Sequence, residues 1–268
     1  MRKAIAIDLD GTLLDSSRIA APHSLTMVER AADCGWVVII STARPVRTIK
    51  LAVPEEFIRF YWAACNGAWI LKDGQIIKRQ EIPYQTVAHL IRLFSEYNLR
   101  FYVEAEDTFF SHCEKPARFI GEYYDLDQLG SVDACKVIVD AQSNDEISTV
   151  ASLIPPSCSY VVTDDNSLIQ IAHADCSKLY AAKHILEREG ITLTDTIAFG
   201  DDNNDISLLK AAGCGVAMGN ATEELKRVAD HITATNDEDG VGLFLEQVLA
   251  NGLLHLTDEE DRSNGYDR

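Results

Sequence analysis

Short apolar runs, each followed by a segment of helical spacing, constrain this chain more than any other feature. Residues 3–9 (KAIAIDL) and 36–42 (WVVIIST) are nearly continuous apolar stretches. Strands buried on both faces of a sheet read this way. Between them, residues 24–32 have helical spacing and Gly35 supplies the stop. A third apolar run, 61–64, ends in the turn-forming pair Asn66-Gly67. After residue 173 the alternation resumes, with a helix over 177–189, a strand over 196–199, a loop and helix, and a strand over 215–218. A short helix, Ile232-Thr233 and a last helix near 241–250 complete it. Strands alternating with helices predict an α/β fold with a parallel sheet.

The rhythm changes in the middle. Residues 69–77 read as a hairpin about the Asp73-Gly74 turn. Past Pro83 come a helix near 85–97, strands over 100–104 and 108–112, and a helix near 116–124. A strand at 135–140, a helix at 145–153 and strands at 160–163 and 167–172 follow. Paired strands interleaved with helices describe an α+β unit. The expected organisation is therefore a discontinuous α/β core, residues 1–83 and 173–268, interrupted by an α+β insert over 84–172. The tail 257–268 (TDEEDRSNGYDR) is polar and charged and is expected to fray.

Charge and cysteine usage narrow the function classes. Lys and Arg number 24 against 42 Asp and Glu, a net charge of −18. Such a surface repels nucleic-acid backbones and anionic membranes, so neither is an expected partner. No run approaches the ~20 apolar residues that cross a bilayer, and acids follow the first residues too soon for a signal peptide. Seven scattered cysteines without a Cys-x-x-Cys pair fit thiols in a reducing cytoplasm better than a disulfide scaffold or a thiolate zinc site. The seven histidines form no His-x-x-x-His pair.

The chemistry concentrates at strand ends. The first strand runs straight into Asp8-Leu9-Asp10-Gly11-Thr12, and the 196–199 strand into Gly200-Asp201-Asp202-Asn203-Asn204-Asp205. So many like charges together are costly unless a cation relieves them. Hard oxygen donors without Cys or His favour Mg²⁺ over zinc. The second strand ends in Ser41-Thr42-Ala43-Arg44, hydroxyl and guanidinium groups suited to a phosphate. Lys178 stands near the start of the helix after the insert, where the helix dipole favours an anion. Each feature alone has a bland reading as a solvated turn or helix start. Together they share one address, the carboxyl edge of a parallel sheet, where ligands bind in such folds.

These four motifs, in this order, resemble those of the haloacid dehalogenase-like hydrolase superfamily. Cys65-Asn66-Gly67-Ala68, the 215–221 stretch GVAMGNA and the 235–241 stretch TNDEDGV resemble its Cof-type phosphatase subfamily. Leu179 and Ala43 stand where the subfamily usually has Gly. The resemblance implies a Rossmann-like parallel-sheet core with an inserted α+β cap domain. It implies Asp8 as a nucleophile forming an aspartyl-phosphate and Asp10 as general acid, then base. Mg²⁺ would be held by Asp8, the Asp10 carbonyl and Asp201, with Asp205 in support. Thr42, Lys178, Asn204 and, in addition, Arg44 would bind phosphoryl oxygens. The substrate would be a small phosphorylated metabolite such as a sugar phosphate. A phosphosugar mutase on the same scaffold is the alternative, and a non-catalytic binding protein a more distant one. Phe109, Phe110, His112, Arg118 and Tyr123 of the insert are candidates to face the cleft.

Overall fold

The computed structural model describes residues 3–115, 121–163 and 167–251. The expected frayed tail and Arg118 lie outside the described residues. The chain opens with β1 (Ala4–Asp8), α1 (Pro22–Asp33), β2 (Val37–Ser41), the single-turn α2 (Val46–Ile49) and β3 (Tyr61–Ala64). A hairpin of β4 (Trp69–Lys72) and β5 (Gln75–Arg79) follows. Its turn places Asp73 and Gly74 both at positive φ, 52° and 72°, the geometry an Asp-Gly pair adopts at little cost.

The middle segment contains α3 (Tyr84–Glu96), β6 (Phe101–Ala105), β7 (Thr108–Phe110), β8 (Tyr123–Tyr124), β9 (Lys136–Asp140), α4 (Asn144–Leu153), β10 (Cys158–Thr163) and β11 (Leu168–His173). The chain ends with α5 (Lys178–Glu189), β12 (Thr196–Gly200), α6 (Ile206–Ala211), β13 (Cys214–Ala217), α7 (Glu223–Lys226), β14 (His231–Ile232) and α8 (Gly240–Asn251).

Two sheets result. The first has eight strands in the order β14-β13-β12-β1-β2-β3-β4-β5, parallel from β14 to β3 and antiparallel at the β4–β5 edge. The strand order reverses at β1, because the chain moves to one side for β2 and β3 and to the other for β12 to β14. Right-handed crossovers then place α1 and α6 on opposite faces. The five residues of β1 and the five of β2 are all buried. That explains why their sequences are continuous rather than alternating. This sheet and its helices share one apolar cluster, including Ile5, Ile7, Ile39, Trp62, Ile185 and Phe199.

The second sheet, β10-β11-β9-β6-β7-β8, forms entirely from the middle segment. A separate cluster around Leu90, Phe94, Val137, Val139 and Ile169 fills one side of it. Of the helix expected near 116–124, residues 116–120 lie outside the described residues, and Tyr123 and Tyr124 form a short strand parallel to Phe109–Phe110 instead. Paired aromatic residues fit a half-buried pleated surface better than a helix.

Candidate active site

The reversal of strand order at β1 opens a crevice at the carboxyl ends of β1 and β12. Asp8 is the last residue of β1, 6% exposed. Gly200 ends β12, and the following turn carries Asp201, Asn204 and Asp205. Gly200 has a local reason: a Cβ there would lie 2.4 Å from the Asp205 carboxyl carbon. Gly11, at φ +79°, has another, since its Cβ would fall 2.2 Å from Asp201 Oδ2. Both glycines let a carboxylate press against backbone.

Lys178, the first residue of α5, reaches into this crevice and is 1% exposed. Its Nζ donates to Asp8 Oδ1 and to Asp205 Oδ1, each at 2.6 Å. Asp205 is fully buried, and its Oδ2 accepts from the backbone N–H groups of Asp201 and Asp202 at 3.3 Å. Asp201 Oδ1 accepts from the Thr12 hydroxyl at 2.8 Å. Asp8, Asp201 and Asp205 each offer a carboxylate oxygen within 4.8 Å of the others. Three carboxylates against one ammonium leave an excess of two negative charges, which matches one divalent cation. The donors are all hard oxygens, a set that suits such a cation. Burial pushes Asp8 well above the ordinary carboxylate range, although Lys178 acts against it. Burial, then the charge of Asp205, pushes Asp201 up to about 6.

The second strand delivers Thr42, fully buried, whose Oγ1 accepts from the Arg44 backbone N–H at 3.0 Å. The Arg44 guanidinium grips Asp10, with Nε 2.7 Å from Oδ2 and Nη2 2.5 Å from Oδ1. Asp10 is otherwise exposed. Asn204 Nδ2 donates to Asn66 Oδ1 at 3.0 Å. The structure thus gathers Asp8, Asp201, Asp205 and Lys178 into one contact group. It sets Asp10 with Arg44, and Asn204 with Asn66.

Unspent donors remain for a ligand. Lys178 has three N–H groups and spends two. The Asn204 amide has two and spends one. The Thr42 hydroxyl accepts and so keeps its proton. Arg44 has five and spends two. Every side chain expected to meet a phosphate retains at least one donor.

A cavity of about 270 Å³ adjoins this group, between the two sheets. It is lined by Lys178, Asn203 and Asn204 from the first unit and by Tyr160, Val161 and Gln170 from β10 and β11, among others. Among the described lining residues only Lys178 is charged. Of the insert residues singled out from sequence, Phe109, Phe110, His112 and Tyr123 are not in the lining of this cavity. Phe109 packs under the Arg47 guanidinium, 4.2 Å from its ring centroid, Phe110 joins the second apolar cluster, and His112 stands exposed beside Asp125. The Tyr123 hydroxyl bonds the Cys113 carbonyl. Sequence reasoning missed Gln170 and Lys136, polar residues in otherwise apolar strands, whose placement inside a strand was the available signal.

The family profile for haloacid dehalogenase-like hydrolases matches residues 5–245. The chain is 28% identical to a 5-amino-6-(5-phospho-D-ribitylamino)uracil phosphatase of Bacillus subtilis, over 92% of this chain and 97% of that one. It is 24% identical to a pyridoxal phosphate phosphatase of Escherichia coli, over 91% and 97%. Its structure superposes on BT1666 of Bacteroides thetaiotaomicron, described among phosphatases of the same superfamily, with a TM-score of 0.80 and 26% identity over 92% and 95% of the two chains. With the motifs, the sheet order and a match spanning both units, this chain belongs to the haloacid dehalogenase-like hydrolase family, in its Cof-type branch.

Proposed function

We propose that this protein is a Mg²⁺-dependent phosphatase that hydrolyses a small phosphorylated metabolite through an aspartyl-phosphate on Asp8, with residues 84–172 as its cap. The observation that carries the reading is the Asp8 carboxylate at the switch point, held by a buried lysine with a donor to spare and set beside two further acids. In the first step Asp8 attacks phosphorus, the P–O bond to the leaving group breaks, and Asp10 protonates the departing oxygen. In the second step water attacks the aspartyl-phosphate, Asp10 takes its proton, and Asp8 and inorganic phosphate are released. Thr42, Lys178 and Asn204 hold the phosphoryl oxygens with their remaining donors. Arg44 keeps Asp10 in place before substrate arrives, and an incoming phosphate competes for the same guanidinium, freeing Asp10 to act.

Asp8, Asp201 and the Asp10 carbonyl would hold the cation, with Asp205 bracing Lys178 and the turn. Bound there, Mg²⁺ would offset the charge that otherwise repels an anionic substrate. The cavity suits a leaving group that is uncharged, since Lys178 is the only charged residue among its described lining and is already committed to Asp8 and Asp205. This disfavours the mutase alternative, whose bisphosphate intermediate needs a second anion site. The relatives named above act on different phosphates, so the metabolite itself is for a substrate screen to identify.

Removing the cation should abolish turnover, and its binding should depend on pH in a definite direction. A carboxyl whose proton affinity rises on folding favours the fold only while protonated. The metal-free protein should therefore lose stability as pH rises from the usual 3.8 through about 6, where Asp201 ionises. The cation needs that carboxylate ionised, so Mg²⁺ should raise the melting temperature little at about pH 5 and strongly at about pH 7.5. Melting curves with and without Mg²⁺ at both pH values, and assays after EDTA, check this. Equal stabilisation at both pH values, or full turnover in metal-free buffer, would contradict it.

A further inference from the structure

Both arms of the phosphate-binding group end on one pair of buried residues from the middle segment. Asn66 is the hub. Its backbone N–H donates to the Thr42 carbonyl at 2.9 Å, and its side-chain oxygen accepts from Asn204 at 3.0 Å. Its amide nitrogen donates to Gln170 Oε1 at 3.1 Å, across the junction to β11. Gln170 Oε1 also lies 3.4 Å from Lys136 Nζ, at the start of β9. Lys136 Nζ in turn donates to the Ala43 carbonyl at 2.7 Å, between Thr42 and Arg44. The bonds close a ring that runs Thr42, Ala43, Lys136, Gln170, Asn66 and back to Thr42, with Asn204 hanging from Asn66.

The ring is costly to maintain. Lys136 is 5% exposed and Gln170 8%, and the lysine is held by Glu104, fully buried, at 3.4 Å. Glu104 is also paired at 2.7 Å with Arg47 of α2. Apolar residues of similar volume often stabilise such a junction as well as a buried ion network does, so the polar groups are better explained by fixing a register. Asn66 itself sits at φ 57°, and Cys65 at 51°. These are left-handed conformations that cost energy in a non-glycine residue and persist where the surroundings over-determine them. Gln170 anchors the far side, its Nε2 donating to the Thr163 hydroxyl at 3.0 Å.

We propose that Lys136 and Gln170 are positioning residues, through which the seating of the middle segment on the core sets Thr42 and Asn204 for the phosphoryl group. Neither residue touches the carboxylate cluster. The inference rests on the phosphatase reading for its effect on rate, but not for its effect on geometry. A segment that is displaced or mis-seated loses two of the ring's bonds to the core, at Asn66 and at Ala43, and with them the alignment of both arms. Small misplacements of a bound reactant cost up to about 10²-fold in rate.

Gln170→Leu and Gln170→Glu in the full-length protein separate positioning from bulk packing. Leucine fills the space and removes all three hydrogen bonds of the amide. Glutamate keeps an oxygen to accept from Asn66 and Lys136. With p-nitrophenyl phosphate and Mg²⁺, Gln170→Leu should lose roughly 10- to 100-fold in kcat/KM, and Gln170→Glu should recover most of that loss. In ¹⁵N spectra the side-chain amide signals of Asn204, whose bond is to Asn66 rather than to Gln170, should move in Gln170→Leu and return in Gln170→Glu. If Gln170→Leu does not fold, Gln170→Asn, one methylene short, takes its place in the same comparison. Unmoved Asn204 signals with unchanged kinetics, or a Gln170→Glu protein as impaired as Gln170→Leu, would overturn the proposal. A wild-type protein that hydrolyses no phosphomonoester would overturn the function instead, and the Asn204 signals would still decide whether the relay exists.

Discussion

Asp8→Asn should yield a folded protein with no measurable phosphoenzyme and turnover reduced by roughly 10⁴–10⁶-fold, the scale on which removing a nucleophile or its close partner acts. Asparagine matches the shape of aspartate, but its amide is not nucleophilic toward phosphorus. The fold should tolerate the change well at neutral pH. Asp8 is a buried acid with raised proton affinity, so its ionisation works against the fold as pH rises, and the neutral amide removes that burden. Steady-state assays and melting curves on the same sample check both halves. A variant that keeps more than about 1% of turnover would be losing no more than a general acid supplies. Asp8 would then not be the nucleophile.

Lys178→Met should be damaging in a different way. The ammonium sits between Asp8 and Asp205, and its charge is favoured by both carboxylates against the cost of its burial. Methionine fills the channel but leaves two buried acids facing each other without a cation. Breaking a buried pair by removing one partner typically costs ~3–5 kcal/mol. The loss should be largest above neutral pH and shrink on acidification, because protonating Asp8 removes one of the uncompensated charges. Mg²⁺ should recover part of the stability but not the activity, since a donor to the phosphoryl group is gone. Melting temperature measured against pH, with and without Mg²⁺, separates this from a simple packing defect. A deficit that is flat with pH would mean that Lys178 stabilises through its methylenes rather than its charge.

The parts of this architecture that were readable share a physical cause. The first and second strands are buried on both faces, so their sequences are nearly continuous apolar runs, a pattern that a half-exposed strand does not give. The Asp73-Gly74 turn was legible because few residue pairs accept positive φ twice in succession. The acids were legible because a hydrophobic strand that runs directly into Asp-x-Asp must place them at a sheet edge. The pairing of Tyr123–Tyr124 with Phe109–Phe110 was not legible, because a two-residue strand leaves no periodicity and its partner decides its state. The ring through Lys136 and Gln170 was hidden for a related reason. Within an apolar strand such as Leu168–His173 a single glutamine reads as a solvent-facing position, and only the second surface packed against it turns it inward. The exposed Asp10 and its partner Arg44 lie 34 residues apart, and only the parallel register of β1 and β2 brings them together.

The covalent intermediate is the core of this account, and the Asp10→Asn protein can display it. In that variant Asp8 remains nucleophilic, and the backbone carbonyl of residue 10 is unchanged. An aryl phosphate has a leaving group that needs no proton, so the first step should proceed. Hydrolysis then lacks the carboxylate that takes a proton from water, help worth roughly 10²–10⁴-fold, and the phosphorylated protein should accumulate. Mass spectrometry of protein mixed with p-nitrophenyl phosphate and Mg²⁺ and quenched rapidly in acid reads this directly. A mass gain of one phosphoryl group is expected, mapped by peptide to Asp8 and absent from the Asp8→Asn/Asp10→Asn double variant. Wild-type turnover in Asp10→Asn, or a phosphoryl group carried on any residue other than Asp8, would contradict it.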